Sequence, residues 1–247
     1  MVGEGGVHDM DDRNLGIDET AARLHQEALV WDMVLPLQAS AGNDISILDQ
    51  VRAAGFDFVS LTIAGDDCGV GEAIRLLASA RREIAQAGSK CVLVTSVADI
   101  INAKSSGRLA VGLHLEGTRC LERDVAMVEI YYALGVRHNL IAFNLANSAG
   151  GGCADDVDGG LTRFGRRVVE EMNRVGMVVD LSNVGYRTTM DILDCSQAPC
   201  IISHSNPQGV WPTIETCATT RFCAALRRAA WWAFPGQAPI SASKPRA

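Results

Sequence analysis

Ala198-Pro-Cys-Ile-Ile-Ser-His-Ser-Asn206 is the stretch on which the fold turns. Cys200 to Ser203 reads as a short buried strand, and His204 follows directly at its end. Two earlier stretches have the same form, an apolar run ending in a group able to bind metal. They are Leu109-Ala-Val-Gly-Leu-His-Leu-Glu-Gly117 and Met177-Val-Val-Asp-Leu-Ser-Asn183. In a barrel of parallel strands, the C-terminal strand ends face the active site. The three stretches therefore predict that Glu116, Asn183 and His204 converge at one end of such a barrel.

Working outward, further strands are expected at Ala28–Leu35, Phe56–Ile63, Cys91–Ser96 and His138–Phe143. Helical spacing separates them, over 19–27, 45–54, 71–87, 97–104, 122–134, 164–175 and 185–196. Gly55, Gly88, Gly135 and Gly176 stand where helices close. Strands alternating with helices signal βαβ units and a parallel sheet. Seven strands predict an α/β fold, a (β/α)8 TIM-type barrel, over a doubly wound sheet. The Gly-x-Gly-x-x-Gly fingerprint of the latter is missing between strand and helix.

The chain divides into a polar arm (1–18), the barrel (19–212) and an atypical tail (213–247). The tail holds five basic residues, Arg221, Arg227, Arg228, Lys244 and Arg246, against one acidic, Glu215. It lacks strand-helix alternation. One reading is a basic extension. The other is a shifted reading frame, because GC-rich DNA read out of frame yields runs of Arg, Ala, Trp and Gly. On that reading the barrel is incomplete at its C-terminus.

Charged residues make up 21% and hydrophobic ones 48% of 247, enough for a large core and against global disorder. A net charge of −7 and a pI near 5.2 argue against a nucleic-acid partner. No run approaches the roughly 20 apolar residues of a bilayer span. The N-terminus lacks the regions of a signal peptide, so the expected location is cytoplasmic. Eight cysteines are scattered without a Cys-x-x-Cys pair, which speaks against a zinc ribbon or a thioredoxin motif. Most read as small buried hydrophobes. Cys153 stands apart in the long loop 144–160, whose Gly150-Gly-Gly152 and three aspartates suggest a functional or mobile segment. Arg163, Arg166 and Arg167 open the next helix, positioned to pair with that acidic loop or to bind a substrate carboxylate.

Leu115-Glu-Gly117, Tyr132-Ala-Leu-Gly-Val-Arg137, Gly159-Gly-Leu-Thr-Arg-Phe-Gly-Arg166, Glu171-Met-Asn-Arg-Val-Gly-Met177, Asp180-Leu-Ser182 and Ala198–Asn206 occur in a characteristic order. From about residue 19 to Pro212 the chain thereby resembles the membrane dipeptidase (renal dipeptidase) family of zinc metallopeptidases. The resemblance implies a barrel hydrolase with one or two zinc ions and a small peptide substrate. The metal would lower the pKa of a bound water that attacks the amide carbonyl of a dipeptide. It implies a homodimer as a possible assembly. By resemblance Glu116 is the bridging, catalytic carboxylate and His204 a ligand of the second metal.

The chain also departs from the family pattern. Where an Asp-x-His-x-Asp is expected on the first strand, it reads Asp32-Met-Val-Leu-Pro36, so Val34 and Pro36 replace ligands. The family's Asp-Leu-Ser-His is Asp180-Leu-Ser-Asn183, and an amide oxygen is a poorer zinc ligand than imidazole. The substrate-contacting histidine after the fifth strand corresponds to Phe143, with Asn144 beside it. His114 and Glu116 lie two apart on a strand and so share a face. His114 is then either an added ligand, completing a single-metal site with Glu116, Asn183 and His204, or a hydrogen-bonded core residue one layer down. Asp32 either supports the site or caps its strand. Two functions stay open: a metallohydrolase of dipeptides or small amides with a degraded metal site, or an inactive homologue that keeps the scaffold.

Overall fold

Leu109 to Leu115 are buried without interruption, as a strand covered on both faces must be. This strand, β4 (Leu109–Glu116), is the spine of the sheet. The computed structural model describes residues 18–36 and 46–209, with the backbone of 231–232. Along the chain run α1 (Glu19–Glu27), β1 (Trp31–Pro36), α2 (Ile47–Ala53), β2 (Phe58–Gly65), α3 (Val70–Gln86), β3 (Cys91–Leu93) and α4 (Val97–Ser105). After β4 come α5 (Ala126–Ala133), β5 (Val136–Leu140), α6 (Arg163–Val175), β6 (Val178–Asp180), α7 (Tyr186–Cys195), β7 (Ile201–Ile202) and β8 (Trp231–Trp232).

Every ladder is parallel, in the order β1-β2-β4-β5-β6-β7-β8. Ala110 pairs with Phe58 of β2 and with Val92 of β3, so these strands flank opposite edges of β4. The edge that β3 occupies at the start of β4 passes to β5 from Leu113 onward. Among the described residues no ladder joins β1 to β8, and the sheet is a half-barrel. The expected α/β parallel barrel architecture is the one found, with seven strands inside residues 19–212.

The helices cover the outer face for reasons legible in their spacing. α3 buries Ala73, Leu77, Ala80 and Ile84, one stripe of a 3.6-residue helix. α6 buries Val168, Val169 and Met172; Thr162 caps it by accepting from the Gly165 N–H at 3.0 Å, and Gly176 closes it at φ 86°. Ser96 and Asp99 form a reciprocal capping box on α4.

The structure shifts several expected boundaries. The helix expected from Glu122 begins at Ala126, after a single 3-10 turn at Arg119–Leu121. Glu122 and Arg123 adopt left-handed backbone (φ 47° and 63°), and the Glu122 carboxylate accepts from the Val70 N–H at 3.1 Å, capping α3 instead. Strand β5 stops at Leu140, short of Phe143, whose N–H is taken by Asp66 at 2.9 Å. Residues 1–17 of the arm (1–18) and most of the tail, with its proposed frameshift, lie outside the described residues. Trp231 and Trp232 are the exception, since their backbone pairs in parallel with Ile201 and Ile202 where no strand was expected.

Candidate active site

Alternate residues of each strand face the half-barrel interior and stack there in layers. At the base the Phe58 ring lies over Gly112, where a Cβ would come within 2.8 Å of its Cζ. Above it sit Ser60, His114, His138 and Asp180, all buried. The two imidazoles stack with centroids 4.4 Å apart and planes 11° from parallel. Ser60 Oγ lies 2.9 Å from His114 Nδ1 and 3.0 Å from His138 Nε2. Thr62 Oγ1 lies 3.0 Å from His114 Nε2. His138 Nδ1 stands 3.4 Å from Asp180 Oδ2, while Asp180 Oδ1 accepts from the Ser182 and Ser203 N–H groups at 3.0 and 3.2 Å.

Electrostatics sharpen this layer. Burial pushes His114 well below the usual histidine range, and repulsion from the His138 imidazole adds to it. Burial works against ionisation of Asp180, but its hydrogen bonds and the fields of His138 and His204 hold it far below the usual carboxylate range.

Glu116 forms the next layer up, at the C-terminal end of β4. Its side chain is 13% exposed, with Oε1 3.7 Å from His114 Nε2. Burial raises its pKa, and His204 draws it back down. Glu116 lines a cleft of about 1180 Å³ together with Pro36, Thr62, Asp66, Arg119 and Phe143. Phe143 is 39% exposed on that wall. His204 follows β7, its Nδ1 2.7 Å from Ser203 Oγ.

Asn183, just after β6, is buried; both it and the half-buried Asn144 are left-handed (φ 60° each). Asparagine tolerates that conformation better than most residues. The Asn183 amide donates to Asn144 Oδ1 at 2.9 Å, and the Cys153 thiol reaches the same oxygen at 3.2 Å. Backbone bonds tie the group together, Cys153 N–H to Asn183 O at 2.9 Å and Ala154 N–H to Asn144 O at 2.7 Å. Asn183 Oδ1 is buried without a hydrogen-bond partner. Gly152 bridges Val184 where any Cβ would overlap the Asn144 carbonyl.

Two organising residues were not singled out from sequence. Asp66 accepts from the N–H groups of Thr118, Arg119 and Phe143 and from the Asn147 amide. Asp158 accepts from the Gly160, Arg187 and Thr188 N–H groups and from the Thr188 hydroxyl. The signal was the Asp/Asn content of the strand-end loops, but which loop reaches which is a property of the fold. Arg166 pairs with Asp191 of α7 at 3.7 Å, not with the acidic loop as expected.

The family model for membrane dipeptidase (peptidase family M19) matches residues 58–215. The chain belongs to the membrane dipeptidase family. An uncharacterised dipeptidase of Schizosaccharomyces pombe is 37% identical over 134 residues, 51% of this chain and 32% of the relative. The chain thus spans about a third of that curated relative. A crystal structure of an amidohydrolase from Pseudomonas aeruginosa superposes with a TM-score of 0.81 at 26% identity, covering 86% of this chain and 64% of the other. A metallopeptidase from Rhodobacter sphaeroides, liganded with a phosphinate mimic of the dipeptide L-Ala-D-Ala, shares the fold with a TM-score of 0.71 at 19% identity, over 83% of this chain and 73% of the other.

Membrane dipeptidases are peptide hydrolases, and membership implies a metal cofactor. The described residues fit such a centre poorly. Among the described residues no group of three or more His, Cys, Asp or Glu side chains is arranged to hold a metal ion. Val34 and Pro36 supply no ligand, and Asp32 accepts from the Val34 N–H at 3.0 Å as a local cap. Both ring nitrogens of His114 are taken up by hydroxyls. Glu116 lies in the cleft wall, while His204 and Asn183, whose side-chain oxygen has no hydrogen-bond partner, follow β7 and β6 and are not among the residues lining that cleft. No described helix is long and apolar enough to cross a membrane.

Proposed function

We propose that this chain is a membrane-dipeptidase-type hydrolase for dipeptides or related small amides whose metal site is degraded, so that turnover is weak or absent. Residues 19–212 form its barrel unit. Glu116 is the catalytic carboxylate and, with His204 and Asn183, the remnant of the metal site. Phe143 and Asn144 border the substrate seat. The observation that carries this reading is Glu116 itself: a strand-end carboxylate, largely desolvated, in the wall of a cleft of small-molecule size and within the field of His204. The cleft wall supports a seat for a small peptide. The substitution of imidazole by amide at Asn183 supports weakened metal binding, because carboxylate and imidazole suit zinc where a neutral amide oxygen does not.

The test is zinc stoichiometry on protein purified without chelator, beside Asn183→His and His204→Ala. We expect the natural chain to hold well under one zinc, Asn183→His to gain zinc and measurable dipeptide hydrolysis, and His204→Ala to hold none. Full zinc loading and brisk dipeptide turnover by the natural chain would overturn the degraded site. An Asn183→His form that stays metal-free would overturn the assignment of Asn183 to the site.

A further inference from the structure

His114 and His138 are buried, stacked and joined through one hydroxyl, and the proposed hydrolysis uses neither. Ser60 Oγ has a single proton. Placed 2.9 Å from His114 Nδ1 and 3.0 Å from His138 Nε2, it donates to one ring and accepts from the other. The far end of the chain of bonds decides which. His138 Nδ1 and Asp180 Oδ2 have no other hydrogen-bond partner and face each other at 3.4 Å. Both atoms are buried and only each can satisfy the other, so Nδ1 carries the proton and the carboxylate accepts it. His138 Nε2 then accepts from the Ser60 hydroxyl. Ser60 Oγ in turn accepts from an N–H at His114 Nδ1. His114 Nε2 is left bare, accepting from the Thr62 hydroxyl at 3.0 Å and lying 3.7 Å from Glu116 Oε1.

We infer that Asp180 is a positioning residue: through His138 and Ser60 it fixes the tautomer of His114, so that a bare Nε2 and not an N–H faces Glu116 at the cleft. The inference goes beyond the proposed hydrolysis and holds whether or not the chain turns over a substrate. It also predicts a reversal. In Asp180→Asn the side-chain oxygen stays on the Ser182 and Ser203 N–H groups, since an NH2 there would face two donors. The new NH2 then points at His138 Nδ1 and donates. Each link turns round in sequence, and His114 ends with its proton on Nε2.

The experiment is ¹⁵N NMR of the full chain labelled at its five histidines, near pH 7.5, with the other three rings assigned by substituting His8, His25 and His204 singly. Two-bond correlations report which ring nitrogen holds the proton. In the natural chain both buried rings should show a proton on Nδ1 and a bare Nε2. Asp180→Asn should move both protons to Nε2. Ser60→Ala should leave His138 unchanged and release His114 into a mixture of tautomers, which keeps the test open should Asp180→Asn fail to fold. An Nε2 proton on His114 in the natural chain overturns the inference. So does Asp180→Asn shifting His138 alone, or Ser60→Ala leaving His114 unaltered.

Discussion

Asn147 donates its side-chain amide to both carboxylate oxygens of Asp66, at 3.0 and 2.8 Å, across 81 positions of sequence. The same carboxylate holds the N–H groups that open the turn after β4 and the loop after β5. One side chain from the end of β2 thus shapes three strand-end loops. Asp66→Ala leaves several donors without a partner at once, each costing about 1–3 kcal/mol where water cannot replace the bond. The expected outcome is a loss of about 3 kcal/mol, read as a lowered urea midpoint. Asp67→Ala, whose side chain does not enter this set, should change the midpoint by under about 0.5 kcal/mol equivalent.

Stability should fall in acid in two stages. His114 has a folded pKa well below its unfolded value, so below about pH 6.5 the unfolded chain binds a proton that the folded chain refuses. That stability is present above the unfolded pKa and is lost as pH falls, at up to about 1.4 kcal/mol per pH unit. Asp180 and Asp158 are likewise depressed, burial opposing and their hydrogen bonds prevailing, so their contribution is present above the unfolded carboxylate value of about 3.9 and is lost as pH falls through and below it. Urea midpoints between pH 7.5 and 3 should show both stages. His114→Gln should flatten the first and leave the second.

Two helical glycines should respond to alanine with opposite signs. Gly71 in α3 has open surroundings, the nearest atom to an added Cβ being 3.9 Å away on Arg75, and it is exposed. Gly71→Ala should stabilise by about 0.5 kcal/mol through helix propensity. Gly165 in α6 faces the Ala149 carbonyl so closely that any Cβ overlaps it. Gly165→Ala should destabilise by about 2–3 kcal/mol. Thermal melting of both variants checks the pair; equal signs would contradict the packing described.

Thiol chemistry should separate the cysteines by depth. Burial pushes Cys120 up to about 12 and Cys200 to about 11, and raises Cys68 and Cys91. These four should resist iodoacetamide in the native protein and react once urea is added. Cys153 is half-buried in the site loop and should be alkylated first among the six described cysteines, as peptide mapping by mass spectrometry would show.

The strand-helix alternation was legible because β4 and its neighbours are short apolar runs and the helices end on glycines such as Gly176. The strand-end positions of Glu116 and His204 followed from that alternation. The inner layer was harder to read. That His114 and His138 would stack, with Ser60 between them, depends on parallel register set by long-range pairing of Thr62 with His114 and of His114 with His138. Nor does any local pattern reveal that Glu122 leaves its own helix to cap α3. Asn183 was readable as a departure from the family pattern, but its partnership with Asn144 and Cys153 was not. That contact needs two loops held left-handed by tertiary bonds.

The division of one edge of β4 between β3 and β5 bears on how the chain assembles during synthesis. All three ladder partners of β4 lie between residues 58 and 140. That span can gather its sheet once Leu140 has cleared the ribosome, before β6 and β7 are made. The later strands then add to a template already formed, each by a short parallel ladder of one to three residue pairs. Their hold on the sheet is correspondingly slight, which makes the C-terminal edge, where Asn183 and His204 reside, the first part to let go under mechanical or thermal load.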